Sequence, residues 1–266
     1  MNNYPNRIVC LTEETTEALY LMGEQDRIVG ISGFTVRPPQ ARKEKPRVSA
    51  FTSAKIDKII DLKPDLVLGF SDLQADIAAD LARHSIEVHL FNQRSVSEIL
   101  RMIRVLAGMI GEPGKGEALV ESLQNNIDRI RRLTNQLKAK PKVFFEEWDE
   151  PIISGIRWVS ELIGIAGGVE CFPELTKEPL AKNRIIADNN IVIERQPDII
   201  IGSWCGKKFR PEKVAARPGW QDIPAVASGD LYEIKSPLIL QPGPAALTDG
   251  LNQLYEIISG WAGERE

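Results

Sequence analysis

Asp57–Gly69, DKIIDLKPDLVLG, and Asn190–Gly202, NIVIERQPDIIIG, carry one pattern twice. In each, a helical stretch runs into a Pro-Asp pair, and a short β-branched strand follows and stops at glycine. A proline disfavours helical backbone in the residue before it, so the helix has to end there and the strand begins afresh. Helix-Pro-Asp-strand is also a common α/β connection, so the repeat needs support from its surroundings. Working outward from the first copy, Arg7–Leu11, Arg27–Ile31, Asp65–Gly69 and Ile86–Leu90 read as buried strands. Glu13–Met22, Lys55–Leu62 and Asp76–Arg83 read as helices between them. That alternation predicts a parallel sheet with crossover helices. Around the second copy the plan restarts: a strand from Lys142 to Trp148, a helix over Ile156–Ile165, strands at Asp198–Gly202 and Leu231–Ile234, and a closing helix from Ala245 to Trp261.

Between the two copies, Leu119, Leu123, Ile127, Ile130 and Leu137 recur at mostly three- or four-residue spacing, after a break at Gly111–Gly116 and up to Lys140-Pro141. A helix of roughly 25 residues would be ~38 Å long, more than a crossover between neighbouring strands requires. The expected fold class is therefore α/β, with two parallel-sheet lobes joined by one long interdomain helix. The expected boundaries are an N-terminal lobe over 1–111, a spine over 112–140 and a C-terminal lobe over 141–266.

Composition narrows the function. With 33 basic and 37 acidic residues in 266, the net charge is −4, which gives no global attraction to nucleic acid or to an anionic membrane. Charges interrupt every apolar run before spanning length, and the start lacks a basic region followed by an apolar one. The expectation is no membrane insertion, with a cytoplasmic location as written and a periplasmic one if a leader has been removed. Cys10, Cys171 and Cys205 are distant and odd in number, which argues against a disulfide framework.

Sites in α/β sheets lie beyond the carboxyl ends of the strands, so two such lobes are expected to share a cleft lined by those ends. The loops at these ends carry Glu13, Glu14, Phe34, Arg37 and Phe70 from the first lobe. Glu146, Glu147, Trp148, Asp149, Arg184, Trp204, Lys207 and Lys235 come from the second. Rings offer flat apolar contact and cations pair with ligand carboxylates or phosphates, which suits a large polar ligand or a metal chelate. Trp148 and Trp204 fit a lobe core equally well. If Glu146 and Glu147 lie on an extended strand, alternation sends them to opposite faces.

The ordered set Arg7–Leu19, Val29–Ser32, Pro38–Ala41, Lys63–Val67, Gly167–Phe172 and Gln196–Ile200 resembles the cobalamin- and ferric-siderophore-binding proteins of bacterial ABC importers. The likeness runs through nearly the whole chain. It implies two Rossmann-like lobes, an interdomain helix of small hinge motion, and a ligand that is a corrinoid or ferric chelate, with no cofactor required. It also implies an ABC permease as partner, met through one acidic residue on each lobe. Asp57 and Asn190 stand at those two positions, and an amide lacks the charge that pairs with arginine, so docking is expected to be weakened. Glu147 and Arg184 occupy positions that are aromatic in cobalamin binders, which points to a more polar ligand.

Other chemistries fit less well. Gly202–Lys208 has the wrong spacing for a phosphate-cradling P-loop. The two histidines, His84 and His89, border or lie in a strand and are expected to be structural, so no metal site is predicted. Glu13, Glu14, Glu146, Glu147 and Asp149 are a weaker candidate for a hard cation. Cys205 beside Lys207 is the one tempting nucleophile but has no histidine base, and the expectation is a binding protein with no catalytic residue. A cofactor-handling enzyme or ligand sensor in the cytoplasm is the alternative.

Overall fold

The computed structural model of the chain describes residues 3–264. It resolves into two compact units. One holds the residues up to Gln93 together with Ser97–Leu123, and the other holds Arg94–Val96 and the chain from Gln124 onward.

The first unit runs β1 (Ile8–Cys10), α1 (Glu13–Leu21), β2 (Ile28–Ser32), α2 (Ala41–Glu44), β3 (Arg47–Ser49), α3 (Ile56–Asp61), β4 (Leu66–Phe70), α4 (Ala75–Arg83) and β5 (Val88–Phe91). All five strands are parallel, in the order β3-β2-β1-β4-β5. Val9, Leu11 and Val67 from the strands meet Ile59 of α3 and Ile77 and Leu81 of α4 in one core. The four-residue spacing of Ile77 and Leu81 is the buried stripe that seats α4. Two helices follow, α5 (Val96–Met109) and α6 (Pro113–Thr134), and the division between the units falls inside the 22 residues of α6.

The second unit runs β6 (Lys142–Asp149), β7 (Ile152–Ser154), α7 (Arg157–Ile165), β8 (Val169–Glu170), α8 (Asn190–Arg195), β9 (Ile199–Gly202), α9 (Pro211–Ala215), α10 (Pro224–Ser228), β10 (Leu231–Glu233), α11 (Ser236–Ile239) and α12 (Leu251–Gly263). Its sheet has the order β10-β9-β6-β7, with β8 alongside the start of β6. All pairings are parallel except β6 with β7. Phe144, Phe172, Ile200, Trp204, Phe209 and Trp220 fill its core.

The repeat is visible atom by atom. Lys63 and Gln196, the residues before the two prolines, both have positive φ, at 48° and 49°. Asp65 then donates its N–H to the Arg7 carbonyl at 3.0 Å, and its carboxylate accepts the N–H groups of Asn6 and Arg7 at 2.8 Å each. Asp198 donates to the Lys142 carbonyl and accepts from the Lys142 N–H, both at 2.8 Å. In return, Arg7 donates to the carbonyls of Leu62 and Lys63 at the end of α3, and Lys142 Nζ reaches the Arg195 carbonyl at the end of α8. A cation on the last carbonyls is the favourable arrangement for a helix C-terminus. Each Pro-Asp turn thus clips its strand, β4 or β9, to the start of the central strand, β1 or β6.

Sequence pattern did not show β3, β7 and β8, nor the helices α2, α5, α9, α10 and α11. The three strands have two or three residues each, too short for a period to register, and β7 depends on a hairpin with β6. The strand expected over Lys142–Trp148 is β6, which runs one residue further to Asp149, so Glu146–Asp149 form its carboxyl end and not a loop beyond it, and Glu13 and Glu14 form the first turn of α1. Among the described residues no helix is long and apolar enough to cross a membrane.

Candidate functional site

In the first unit α1 starts directly after β1, which sets three acidic side chains of one helix at the carboxyl end of the central strand. Glu13, Glu14 and Glu17 are all buried. Glu17 takes a hydrogen bond from Arg37 Nε at 2.8 Å. Glu14 accepts from the Thr12 hydroxyl at 2.7 Å and has no cation among the described residues, and its carboxyl is pushed up to about 8 by burial first and by the neighbouring Glu13 charge second. Burial also raises Glu13. At neutral pH Glu14 therefore carries its proton and can act as a donor. Phe34, after β2, exposes 58% of its surface, whereas Phe70, the last residue of β4, is buried. The Thr35 hydroxyl is buried without a partner.

In the second unit the strand-end carboxylates each have a cation. Glu146 is fully buried and accepts from both guanidinium nitrogens of Arg217, at 2.5 and 2.9 Å, and from Trp204 Nε1 at 2.9 Å. Burial raises its carboxyl, opposed by Arg217 and Trp204, which favour the charged form. Glu147 pairs with the buried Arg184 through two bonds, at 2.7 and 3.2 Å, and Arg184 also donates to the Ser154 carbonyl of β7. The two glutamates take different partners, as strand alternation requires. Lys207 pairs with Asp149 and lies over the Trp148 ring, 4.0 Å from its centroid, and 5.2 Å from that of Trp204. Trp204 packs edge-on against Phe209 at 5.0 Å and belongs to the core, while Trp148 is partly exposed against it.

A pocket of about 320 Å³ opens beside these rings, lined by Trp204, Lys207, Lys208, Glu233 and Lys235 among others. Lys235 is tied to Glu233 at 2.6 Å, and Glu233 also accepts the Phe209 N–H at 3.1 Å. The Ser203 hydroxyl and Arg184 Nε are buried without a protein partner. Buried polar atoms of that kind are satisfied by water or by a ligand.

Sequence reasoning missed Arg217, because its partner lies 71 residues away and no local pattern marks it. Asp57 and Asn190 are both exposed, in the first turns of α3 and α8. His84 and His89 lie apart from the strand ends: a His84 ring nitrogen is 2.9 Å from the Asp80 carbonyl, and His89 stacks edge-on against Phe91. Burial pushes Cys10 and Cys171 up to about 12, so both are inert thiols, and Cys205 is exposed. Among the described residues no group of three His, Cys, Asp or Glu side chains forms a metal site.

Comparison with known proteins agrees with the fold, two α/β units with parallel sheets. The family model described as periplasmic binding protein matches residues 8–238. The chain is 25% identical over 263 residues to YvrC of Bacillus subtilis, an uncharacterized ABC transporter substrate-binding lipoprotein, covering 96% of this chain and 80% of the relative. It is equally 25% identical over 252 residues to the vitamin B12-binding protein of Vibrio parahaemolyticus, covering 93% and 88%. Among solved structures, a possible iron-binding (periplasmic solute-binding) protein from Staphylococcus epidermidis superposes with a TM-score of 0.83 at 22% identity, covering 96% of this chain and 99% of that one. That last likeness is one of fold.

Proposed function

This chain belongs to the periplasmic binding protein family, a family of binding proteins and not of enzymes, and from that premise we propose that it is the solute-binding component of an ABC importer whose cargo is an anionic metal chelate. The observation that carries the proposal is Lys207, held over the Trp148 ring beside Trp204 and facing a pocket with Lys208 and Lys235. Aromatic faces take up a flat ligand, and ammonium groups meet its carboxylates. Relatives named for vitamin B12 and for iron support the metal-chelate class. Arg184 and Glu147, locked to one another, replace apolar surface with charge and favour a more polar cargo than cobalamin.

From the first unit, Glu13, Glu14, Phe34 and Arg37 are proposed as cargo contacts, with neutral Glu14 as a donor. A permease is proposed as the partner, with Asp57 and Asn190 at the docking positions. Absorbance and calorimetric titration with haem, ferric carboxylate siderophores, ferric hydroxamates and cobalamin tests the whole reading. Saturable binding is expected for carboxylate-bearing chelates, with little for cobalamin. Lys207→Ala or Trp148→Ala is expected to weaken binding by about tenfold, the equivalent of one lost charge-assisted contact. Silence across the panel overturns the proposal.

A further inference from the structure

Away from the strand-end residues, the first unit has a second pocket, of about 670 Å³, along the outer edge of β3. Its wall carries Arg42, Lys45, Arg47, Lys55 and Lys58 and no acidic residue. The chain as a whole is acidic, yet the stretch from Arg42 to Lys58 has six basic residues against two acidic ones. Of those two, Glu44 is occupied by the Tyr20 hydroxyl at 2.7 Å, and neither lines the pocket. Among the described residues none of the five cations forms an ion pair. Among the described residues, Lys58 alone of the five reaches a protein acceptor, the Arg47 carbonyl at 2.9 Å.

Basic residues on an edge strand have an ordinary explanation, which is to repel a second strand. Here that edge is already covered by the chain itself. Lys55 donates its N–H to the Val48 carbonyl at 2.8 Å, Ser49 bridges to Ala54, and Ala50 donates to the Ser53 carbonyl at 2.7 Å. The returning segment closes the edge, so the cations are not needed to guard it. What they do together is hold a concave surface positive without an internal counter-charge, at a cost in mutual repulsion that a bound anion relieves.

We propose that this pocket binds a small polyanion bearing two or more phosphate-type groups, separately from the cargo. Guanidinium groups at Arg42 and Arg47 suit two-pronged contact with phosphate oxygens, and the lysines supply point charges around them. The volume lies within the roughly 300–1,000 Å³ of small-molecule sites. Such groups reach a protein either on a soluble molecule or on a phospholipid headgroup.

Calorimetric titration of the full chain with pyrophosphate at low ionic strength tests the site. The expected result is saturable one-to-one binding that weakens with added salt and falls about tenfold or more in Lys45→Gln/Arg47→Gln. That variant's melting temperature is expected to hold or rise, because repulsion is removed, which separates lost binding from lost folding. No saturable binding overturns the proposal. So does an affinity that survives this variant but falls in Lys207→Gln/Lys235→Gln, which would assign the anion to the pocket beside Trp204. Flotation with vesicles of phosphatidylcholine, with and without cardiolipin, whose headgroup carries two phosphates, identifies the source. Capture by the anionic vesicles and release by pyrophosphate assign a headgroup, and absence of capture alongside pyrophosphate binding assigns a soluble polyanion.

Discussion

Both units gather carboxyl groups at the ends of their strands, and they deal with them in opposite ways. In the second unit, Glu146, Glu147, Asp149 and Glu233 each have a dedicated cation, in Arg217, Arg184, Lys207 and Lys235. In the first, Glu14 is buried with a threonine hydroxyl and a second glutamate for neighbours and holds its proton instead. The difference begins in topology. β1 turns directly into α1, so the helix delivers its acidic first turn to the strand end. β6 instead runs into a hairpin with β7 before α7 begins, and the hairpin brings the Ser154 carbonyl to the cation that Glu147 binds. One strand end therefore has a buried carboxyl with only hydroxyl and carboxyl neighbours, and the other has carboxyl groups that each face a cation.

The largest expected effect breaks the first half of that comparison. A carboxyl whose folded pKa is raised binds more protons folded than unfolded, so its contribution to stability is present below the unfolded value and is lost as pH rises towards the folded one. For Glu14 that window runs from the ordinary glutamate value of 4.5 to about 8. Glu14→Gln keeps the shape and removes the titration. Urea unfolding is expected to give equal stabilities for wild type and variant at the acid end, with the variant ahead by on the order of 3–5 kcal/mol above the window. Parallel curves across the window would sink the assignment.

In the second unit the matching change is Arg184→Met, which leaves Glu147 and the Ser154 carbonyl without their donor. Breaking a buried pair from one side costs about 3 kcal/mol, and removing both partners together costs less. Glu147→Leu/Arg184→Met is accordingly expected to recover part of the loss in denaturant unfolding. A double variant as unstable as the sum of the single ones would show that the pair is not coupled.

Gly69 and Gly202, which close the two copies of the repeated pattern, sharpen the comparison at a smaller scale. A Cβ at Gly202 would fall 1.9 Å from the Phe209 ring, which packs on Trp204. At Gly69 it would meet the ends of Gln74 and Leu90 side chains, at 2.6 and 2.7 Å. Flexible ends move aside more readily than a packed ring. Gly202→Ala is expected to cost about 2–3 kcal/mol and Gly69→Ala about 1 kcal/mol, read as shifts in the urea midpoint.

What was legible in the sequence follows the same division. Each Pro-Asp turn announces itself, because proline, aspartate and a β-branched run act locally, and so the alternation and the duplication could be read. So could the strand from Lys142 to Trp148, but its hairpin partner could not, since β7 exists only through its pairing with β6. Nor could the separation of protonated from paired carboxylates: Glu14 and Glu147 look alike in sequence, and only distant residues such as Arg184 and Arg217 distinguish their surroundings. The residue types of the candidate site were readable from the strand ends, whereas Trp204's place in the core depends on Phe209 and the surrounding fold.

The smallest effect tests the repeat itself. Asp65 accepts two backbone N–H groups, from Asn6 and Arg7, while Asp198 accepts one, from Lys142. Hydrogen bonds to a charged acceptor contribute about 1.5–3 kcal/mol when well shielded, and less at an exposed turn. Asp65→Ala is therefore expected to cost about 2 kcal/mol and Asp198→Ala about 1 kcal/mol. Asparagine at either place keeps an acceptor and should recover part of each loss. Because each clip joins the start of a central strand to its neighbour, hydrogen exchange should speed up at Ile8 and Leu66 in the first variant and at Val143 and Ile199 in the second. Equal costs, or exchange that rises evenly over the chain in both, would mean that the two turns share a sequence pattern without sharing the job of pinning their sheets.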